Sequence, residues 1–492
     1  MTTEKVEIAN PNSLRERVLK IRDKIEGFCL STQFIFIACI TAFIFHALAL
    51  DLVGILSFAI SAAISFLVFK NGRIGITFVT VAIFNVSTKN SPGYMFEGSP
   101  NYYFTPGVLI PLICAVAVLI LVMAYRCIKN RQNYKYGKSY IPLGVLAVVI
   151  TISGIGQEHF LESFGFAILM GLSYVGIYML FVGCVDGEEL LEFVSTLFTA
   201  LALLISLQIA FLYFKQMVKG GSFDSSWKNK IILGWGISNN AGEILTFFMP
   251  FILYKVEKSK HYVNYLLIVL FSMVMLVFTL NRAGMLVGFP LFAILYVKTL
   301  IFSPNRGKIF LISLIVLSVG IILLTGLTAF TDLSSTFKYF ESLFGQNNKI
   351  HLSGRDKLWK RSWNYFLESK WIGTGFARAY HEPVLASENS IFQSLAHNFI
   401  IQAFGSSGIV GVTAVLFYLG YSLKLILKKY EGRIYVCCFA VAFWGACSFD
   451  IIYFLPYCMM YLSLVTIMVE RATYKDKNTN KIAERTEKWI KK

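Results

Sequence analysis

Three residues stand out as able to carry chemistry: Arg282, Arg355 and His397. Arg355 lies in Ser353-Gly354-Arg355-Asp356-Lys357-Leu358-Trp359. Ser353 and Asp356 have capping-box spacing, which predicts a helix starting at Gly354. Arg355, Trp359, Trp363 and Phe366 then fall near one face of that helix. A helix N-terminus that also bears an arginine suits phosphate. The same pattern equally describes an amphipathic helix on the membrane interface, anchored by tryptophans. Arg282 sits in Thr279-Leu280-Asn281-Arg282-Ala283-Gly284, a very short turn between two apolar runs. An ionised group at such depth is costly and marks function, or else it snorkels to the headgroups. His397 opens an apolar run, where a histidine can act as a general base. The other reading there is a capped helix start, with His397 or Asn398 satisfying backbone groups.

Glu243 lies about one turn into a helix opening at Asn239-Asn240. It suits a sugar hydroxyl or one of the arginines. His351, His381 and His159 are weaker rivals to His397 on the same side, His46 lies near the outer end of the first span, and His261 is expected in the cytoplasm. Gly405, Gly408 and Gly411 give the last long run a small face or a break. That could admit a lipid or sugar, but helix packing is the favoured reading. Neither a P-loop, a GxGxxG turn nor an aspartate pair for a divalent metal is found, so no metal or cofactor is expected at the site. None of the nine cysteines falls in the large polar stretch and no CxxC occurs, which argues against a disulfide frame or a zinc site.

The elements that must hold these residues are membrane spans. The chain is 56% hydrophobic and 15% charged, against about 25% charged for soluble proteins. Continuous apolar runs, not short alternating ones, exclude a β-barrel. The reading is an all-α polytopic membrane protein with about 12–14 transmembrane helices. The runs lie near 31–50, 52–69, 73–87, 106–125, 140–156, 163–184, 189–213, 238–254, 262–280, 283–302, 308–330, 397–427, 433–449 and 451–470. One large loop precedes the last three. Residues 1–30 read as a cytoplasmic amphipathic segment, 31–330 as the helix bundle, 331–396 as a large periplasmic loop, 397–470 as the C-terminal spans and 471–492 as a basic cytoplasmic tail. The net charge of +17 is explained by basic inner loops, without nucleic acid as a partner. With the N-terminus inside, only the Lys215 to Lys230 connection breaks the rule, as a basic outer loop. The first run follows about thirty polar residues and lacks a cleavage site, so it is expected to remain as a span.

The order and spacing of several short pieces resemble the O-antigen ligase and O-antigen polymerase superfamily of bacterial membrane glycosyltransferases. The pieces are Asn239-Asn240 with Pro250, Arg282-Ala283-Gly284, Ser353-Gly354-Arg355 with Trp359, Gly373-Thr374-Gly375, His397-Asn398, and Gly405 with Gly408. The resemblance implies a periplasmic loop over a lipid-facing cavity and an undecaprenyl-diphosphate-linked oligosaccharide as donor. It implies that Arg282 and Arg355 hold the diphosphate and that His397 activates the acceptor hydroxyl. Trp359, Asn240, Glu243, Arg361 and Asn398 join the arginines as substrate-binding residues. The expected setting is the bacterial inner membrane, multi-pass, with the active site facing the periplasm and membrane lipids around it. A polymerase is favoured by the span count and chain length, with a chain-length regulator as a further partner that this reading allows. A ligase passing the finished chain to lipid A-core is the close alternative. A lipid-linked sugar flippase is the rival from another class, but it would need charges along a midplane path and not three gathered at one surface.

Overall fold

A computed structural model describes residues 11–87, 105–186, 189–219, 231–328, 354–386, 388 and 390–490. Among them the chain is helical, with no strand beyond an isolated bridge between Ile232 and Ile237. The helices are α1 Pro11–Cys29, α2 Thr32–Ala47, α3 Asp51–Val68, α4 Arg73–Ala82, α5 Pro106–Lys129, α6 Tyr140–Ile152, α7 Phe160–Cys184, α8 Leu190–Val218 and α9 Ser238–Lys258. They continue with α10 Tyr262–Phe278, α11 Arg282–Phe302, α12 Arg306–Thr328, α13 Arg355–Glu368, α14 Arg378–His381, α15 Phe399–Ile426, α16 Arg433–Cys447 and α17 Pro456–Ile490. Each apolar run expected from the sequence has its helix. The polytopic all-α class is thus the architecture observed.

Six of these helices are long and apolar enough to cross a membrane by themselves, or seven if the bent pair formed by α1 and α2 is one span. Other expected runs among the described residues form shorter helices. The helices Arg73–Asn85, Tyr140–Ile152, Tyr262–Phe278 and Arg433–Cys447 have 10–17 residues. At about 1.5 Å per residue they fall short of a core about 30 Å thick. Helix α9 is long, but it carries Asn239, Asn240 and Glu243 at one end and Lys255, Glu257 and Lys258 at the other.

Helix α9 is the axis of the bundle. From Asn240 to Val256 it is buried throughout, packed by α8, α10, α11 and α16. Its Phe247, Phe248 and Phe251 join Phe198, Phe439, Phe443 and Tyr461 in one aromatic core, with the Phe198 and Phe248 rings 4.4 Å apart. Helix α5 lies at the opposite extreme. Only 11% of its most apolar stretch is buried, and Ile113, Leu121 and Ile128 stand bare. Such a surface is unfavourable in water and natural in lipid.

Polar contacts sort the connections into two ends, the same two that the charge pattern separates. At one end the backbone N–H groups of Lys70 and Asn71 donate to Glu26, Arg126 holds Asp186 at 2.7 Å, Lys138 N–H donates to Glu470, and Lys298 bridges Glu257 and Tyr435. At the other end lie His46 with Val86, Gly154 with Ile372, and the group built around His397. Most of the expected outer connections Ser87 to Thr105 and Lys215 to Lys230, and the loop from residue 331 to Ser353 with His351, fall outside the described residues.

Candidate active site

The loop that follows α12 returns to the bundle through α13. The helix begins one residue later than the capping-box spacing predicts. Gly354 is its N-cap, in the left-handed conformation at φ 81° with no side-chain cap, and Ser353 lies outside the described residues. The face it buries is not the aromatic one noted in the sequence. Leu358, Arg361, Ser362 and Tyr365 point inward, while Trp363 lies at the surface against Phe366 and Phe404.

After α13, residues 370–375 run across a break in α15. Gly408 leaves the helical conformation at φ 61° and ψ −156°. The freed backbone is taken up by the loop: Ile409 N–H donates to Lys370 O at 2.8 Å, and Thr374 and Gly375 N–H donate to Gly405 O and Ser406 O at 3.1 and 2.9 Å. A Cβ on Gly373 would stand 2.3 Å from the Ser406 backbone, and one on Gly408 2.5 Å from Trp371. The small residues of α15 thus serve in part the helix packing favoured from sequence, since a Cβ on Gly405 would stand 2.8 Å from Ser362 O of α13. At Gly408 the lack of a side chain also lets the loop's own backbone approach. Behind this seam Phe376 and Phe399 help line an apolar cavity with Ile150, Tyr174, Gln402 and Tyr453.

The seam delivers His397. Asn398 is the cap of α15: its Oδ1 accepts from Ile400 and Ile401 N–H at 3.1 and 3.0 Å, and its Nδ2 donates to Ser448 O. The capping role that was open between the two residues falls to Asn398, which leaves the histidine ring for other work. His397 is held at φ 51°, a conformation that costs a non-glycine residue about 1–3 kcal/mol. Trp359 helps hold it there, donating its Nε1–H to the carbonyl of Ala396 at 2.8 Å. Trp359 thus positions the histidine through the preceding peptide.

His397 Nδ1 lies 3.1 Å from Oδ1 of Asp450. Asp450 is 5% exposed, in the connection between α16 and α17. Its Oδ1 also accepts from Ile451 N–H at 2.7 Å, and its Oδ2 accepts from Asn239 Nδ2 at 3.0 Å. Arg355 Nη2 approaches the same Oδ2 at 3.6 Å, an ion pair longer than a hydrogen bond. Burial pushes the Asp450 carboxyl up, but the His397 hydrogen bond and the charges of His397 and Arg355 outweigh it and hold the group at about 2. Asp450 is therefore a fixed anion at any physiological pH.

Arg282 is the first residue of α11. Asn281 caps that helix, its Oδ1 accepting from Gly284 N–H at 3.2 Å, while its Nδ2 donates to Asn239 O at 2.8 Å. Leu280 before it is left-handed at φ 55°. Asn239 thus binds the turn that carries Arg282 on its backbone side and Asp450 on its side chain. Two of the three non-glycine residues with positive φ among the described residues, Leu280 and His397, flank this group. Strain of that kind concentrates at functional sites.

Other residues expected at the site take different places. Asn240 turns back, its Oδ1 accepting from Ile237 N–H at 3.1 Å, so its neighbour Asn239 is the one that reaches the cluster. Arg361, expected among the substrate-binding residues, turns inward. It is 6% exposed and donates to Glu388 Oε2 at 2.6 Å, Glu382 O at 2.8 Å and Ser394 O at 2.6 Å, tying the loop together from within. Glu243 is buried one turn along α9 from Asn239. The residues that sequence reasoning missed are Asp450 and Asn239. Asp450 does carry a signal: a carboxylate at the end of an apolar run, which the cost of burying charge singles out just as it does Arg282.

Residues 266–416 match the O-antigen ligase family model. The match supports the resemblance of this stretch to the O-antigen ligase and polymerase superfamily. It contains Arg282, Arg355, Trp359, His397 and Asn398, while Asn239 and Asp450 join it from the flanking chain. The family indicates a membrane glycosyltransferase-like enzyme with O-antigen ligase or polymerase-type function. No curated protein matches the chain.

Proposed function

We propose that this chain polymerises a surface polysaccharide, joining repeat units carried on undecaprenyl diphosphate at the periplasmic face of the inner membrane. The observation that supports glycosyl transfer most strongly is the pairing of His397 Nδ1 with a buried, ionised Asp450. A carboxylate on Nδ1 fixes the proton there and leaves the lone pair on Nε2. Nε2 then takes the proton of the acceptor hydroxyl as its oxygen attacks the anomeric carbon. The bond from that carbon to the diphosphate breaks on the opposite face, so the linkage inverts. The diphosphate leaves with its electron pair, and Arg282 and Arg355 meet the charge. Prepositioned guanidiniums can do this without a metal.

Arg355 is 22% exposed and only loosely tied to Asp450, which suits a cation that must also engage a ligand. Length and the number of apolar runs favour a repeat unit as acceptor. The ligase reading, with lipid A-core as acceptor, is favoured by the description of the matching family. Purified protein with lipid-linked repeat units separates the two. Ladders formed without lipid A-core support the polymerase. Transfer only when lipid A-core is added supports the ligase. No transfer with either acceptor, under conditions where the donor is bound, would overturn glycosyl transfer itself.

A further inference from the structure

A second group of chemistry-bearing residues lies away from the site, where the loop meets the turn between α6 and α7. His159 precedes α7, Glu162 is in its first turn and His381 ends α14. One ligand atom from each lies within 4.8 Å of the others. The two imidazoles stack at 3.8 Å between centroids with 10° between planes, and His381 Nε2 is 2.7 Å from Glu162 Oε2. We propose that these three residues bind a transition-metal ion of the zinc class and so fasten the loop to the membrane bundle.

The donor set is two imidazole nitrogens and one carboxylate oxygen, which zinc takes with a fourth position open to water. An ion about 2.0–2.1 Å from each donor requires donors roughly 3.3 Å apart, so the stacked rings need only swing about their side-chain bonds. Parallel face-to-face imidazoles are a poor arrangement by themselves, because ring quadrupoles favour offset or edge contacts. A shared cation would draw one nitrogen of each ring together and splay the rings, relieving the stack.

The backbone on both sides is already set. Gly154 N–H donates to Ile372 O at 3.1 Å and Ala377 N–H donates to Ser163 Oγ at 2.9 Å. A Cβ on Gly154 would stand 2.6 Å from Gly375, so the two chains touch at backbone distance. Next to His381, Glu382 accepts from Tyr365 Oη at 2.7 Å and from Arg361, both on α13. An ion on His381 would therefore be linked through one residue to the helix that presents Arg355. The three ligands are at the surface, His381 and Glu162 with side chains 32% and 52% exposed, so exchange with solution is open.

The test is calorimetric titration of the purified full chain, free of any polyhistidine tag, with zinc chloride. It is paired with the shift in melting temperature that zinc produces, and neither readout depends on glycan transfer. One equivalent should bind and raise the melting temperature. His159→Ala and His381→Ala should each weaken binding about tenfold or more, and the double variant should lose it, with the metal-free melting temperature near that of the parent. Glu162→Gln should bind more weakly and serves if an alanine variant does not fold. No saturable binding by the parent, or equal binding by parent and double variant, would overturn the proposal.

Discussion

Asp450→Asn tests the least expected member of the site. The substitution keeps shape and removes the charge beside His397. Asp450 is held at about 2 against an ordinary 3.8, a preference for the anion of roughly 2–3 kcal/mol at 1.36 kcal/mol per unit. An anion 3.1 Å from Nδ1 stabilises the positive charge that develops on the ring as the hydroxyl gives up its proton. Loss of the charge alone should then slow transfer roughly tenfold to a hundredfold. Asparagine adds a second fault. Its amide can donate to Nδ1, which places the ring proton on Nε2 and leaves no lone pair for the substrate. The combined loss should exceed about a hundredfold in turnover, with donor binding retained. The assay is elongation of lipid-linked repeat units by purified variant, with donor binding measured separately. Turnover within a few-fold of the parent would refute the dyad. The pH dependence follows the same sign. A lowered carboxyl contributes stability that is complete above its unfolded value near 3.9 and is lost as pH falls toward 2. Asp450 should therefore impose no change in stability between pH 5 and 8 (about the range in which its charge is constant).

Arg282→Ala and Arg355→Ala should each cost on the order of a hundredfold in rate and abolish long surface glycan at normal protein levels, with lysine rescuing only partly; unchanged glycan ladders would return both residues to interface anchoring. Gly373→Ala or Gly408→Ala would force a Cβ into backbone 2.3 or 2.5 Å away at positive φ, and should destabilise the seam by at least ~2 kcal/mol, read as a lowered melting temperature. Cysteine placed at Ser342 or Ser387, both outside the described residues, should be labelled by a membrane-impermeant thiol reagent from the periplasm. Labelling only after the membrane is opened would reverse the orientation.

The helices were legible because lipid and a buried core both demand unbroken apolar runs, so every expected interval became a helix. Arg282 and His397 were noticeable for the opposite reason, as a charge and a base at the edge of apolar runs, and Arg355 as an arginine at a predicted helix N-terminus in the polar stretch. Their partner was not. Asp450 closes an apolar run in sequence more than fifty residues from His397, and only the return of α16 sets it there. Asn239 and Asn240 could not be told apart either, since which of two adjacent asparagines turns inward depends on how the preceding bridge at Ile237 enters α9. Arg361 is read from sequence as a substrate-binding residue on the helix whose noted face is Arg355, Trp359 and Trp363. The actual phase follows Leu358 and Tyr365, and it buries the guanidinium against Glu388. Of the α15 glycines, Gly405 packs on α13 as the sequence suggested, while Gly408 meets the backbone of residues 370 and 371, a contact across the break that helix periodicity does not encode.

The central claim is that His397 is the base and not a cap. Asn398 already caps α15, so a residue that restores capping at position 397 has nothing to restore. The most direct measurement is elongation of lipid-linked repeat units by purified His397→Asn, with binding of the donor lipid followed in parallel. The account predicts bound donor and no elongation. Full elongation by His397→Asn would contradict it.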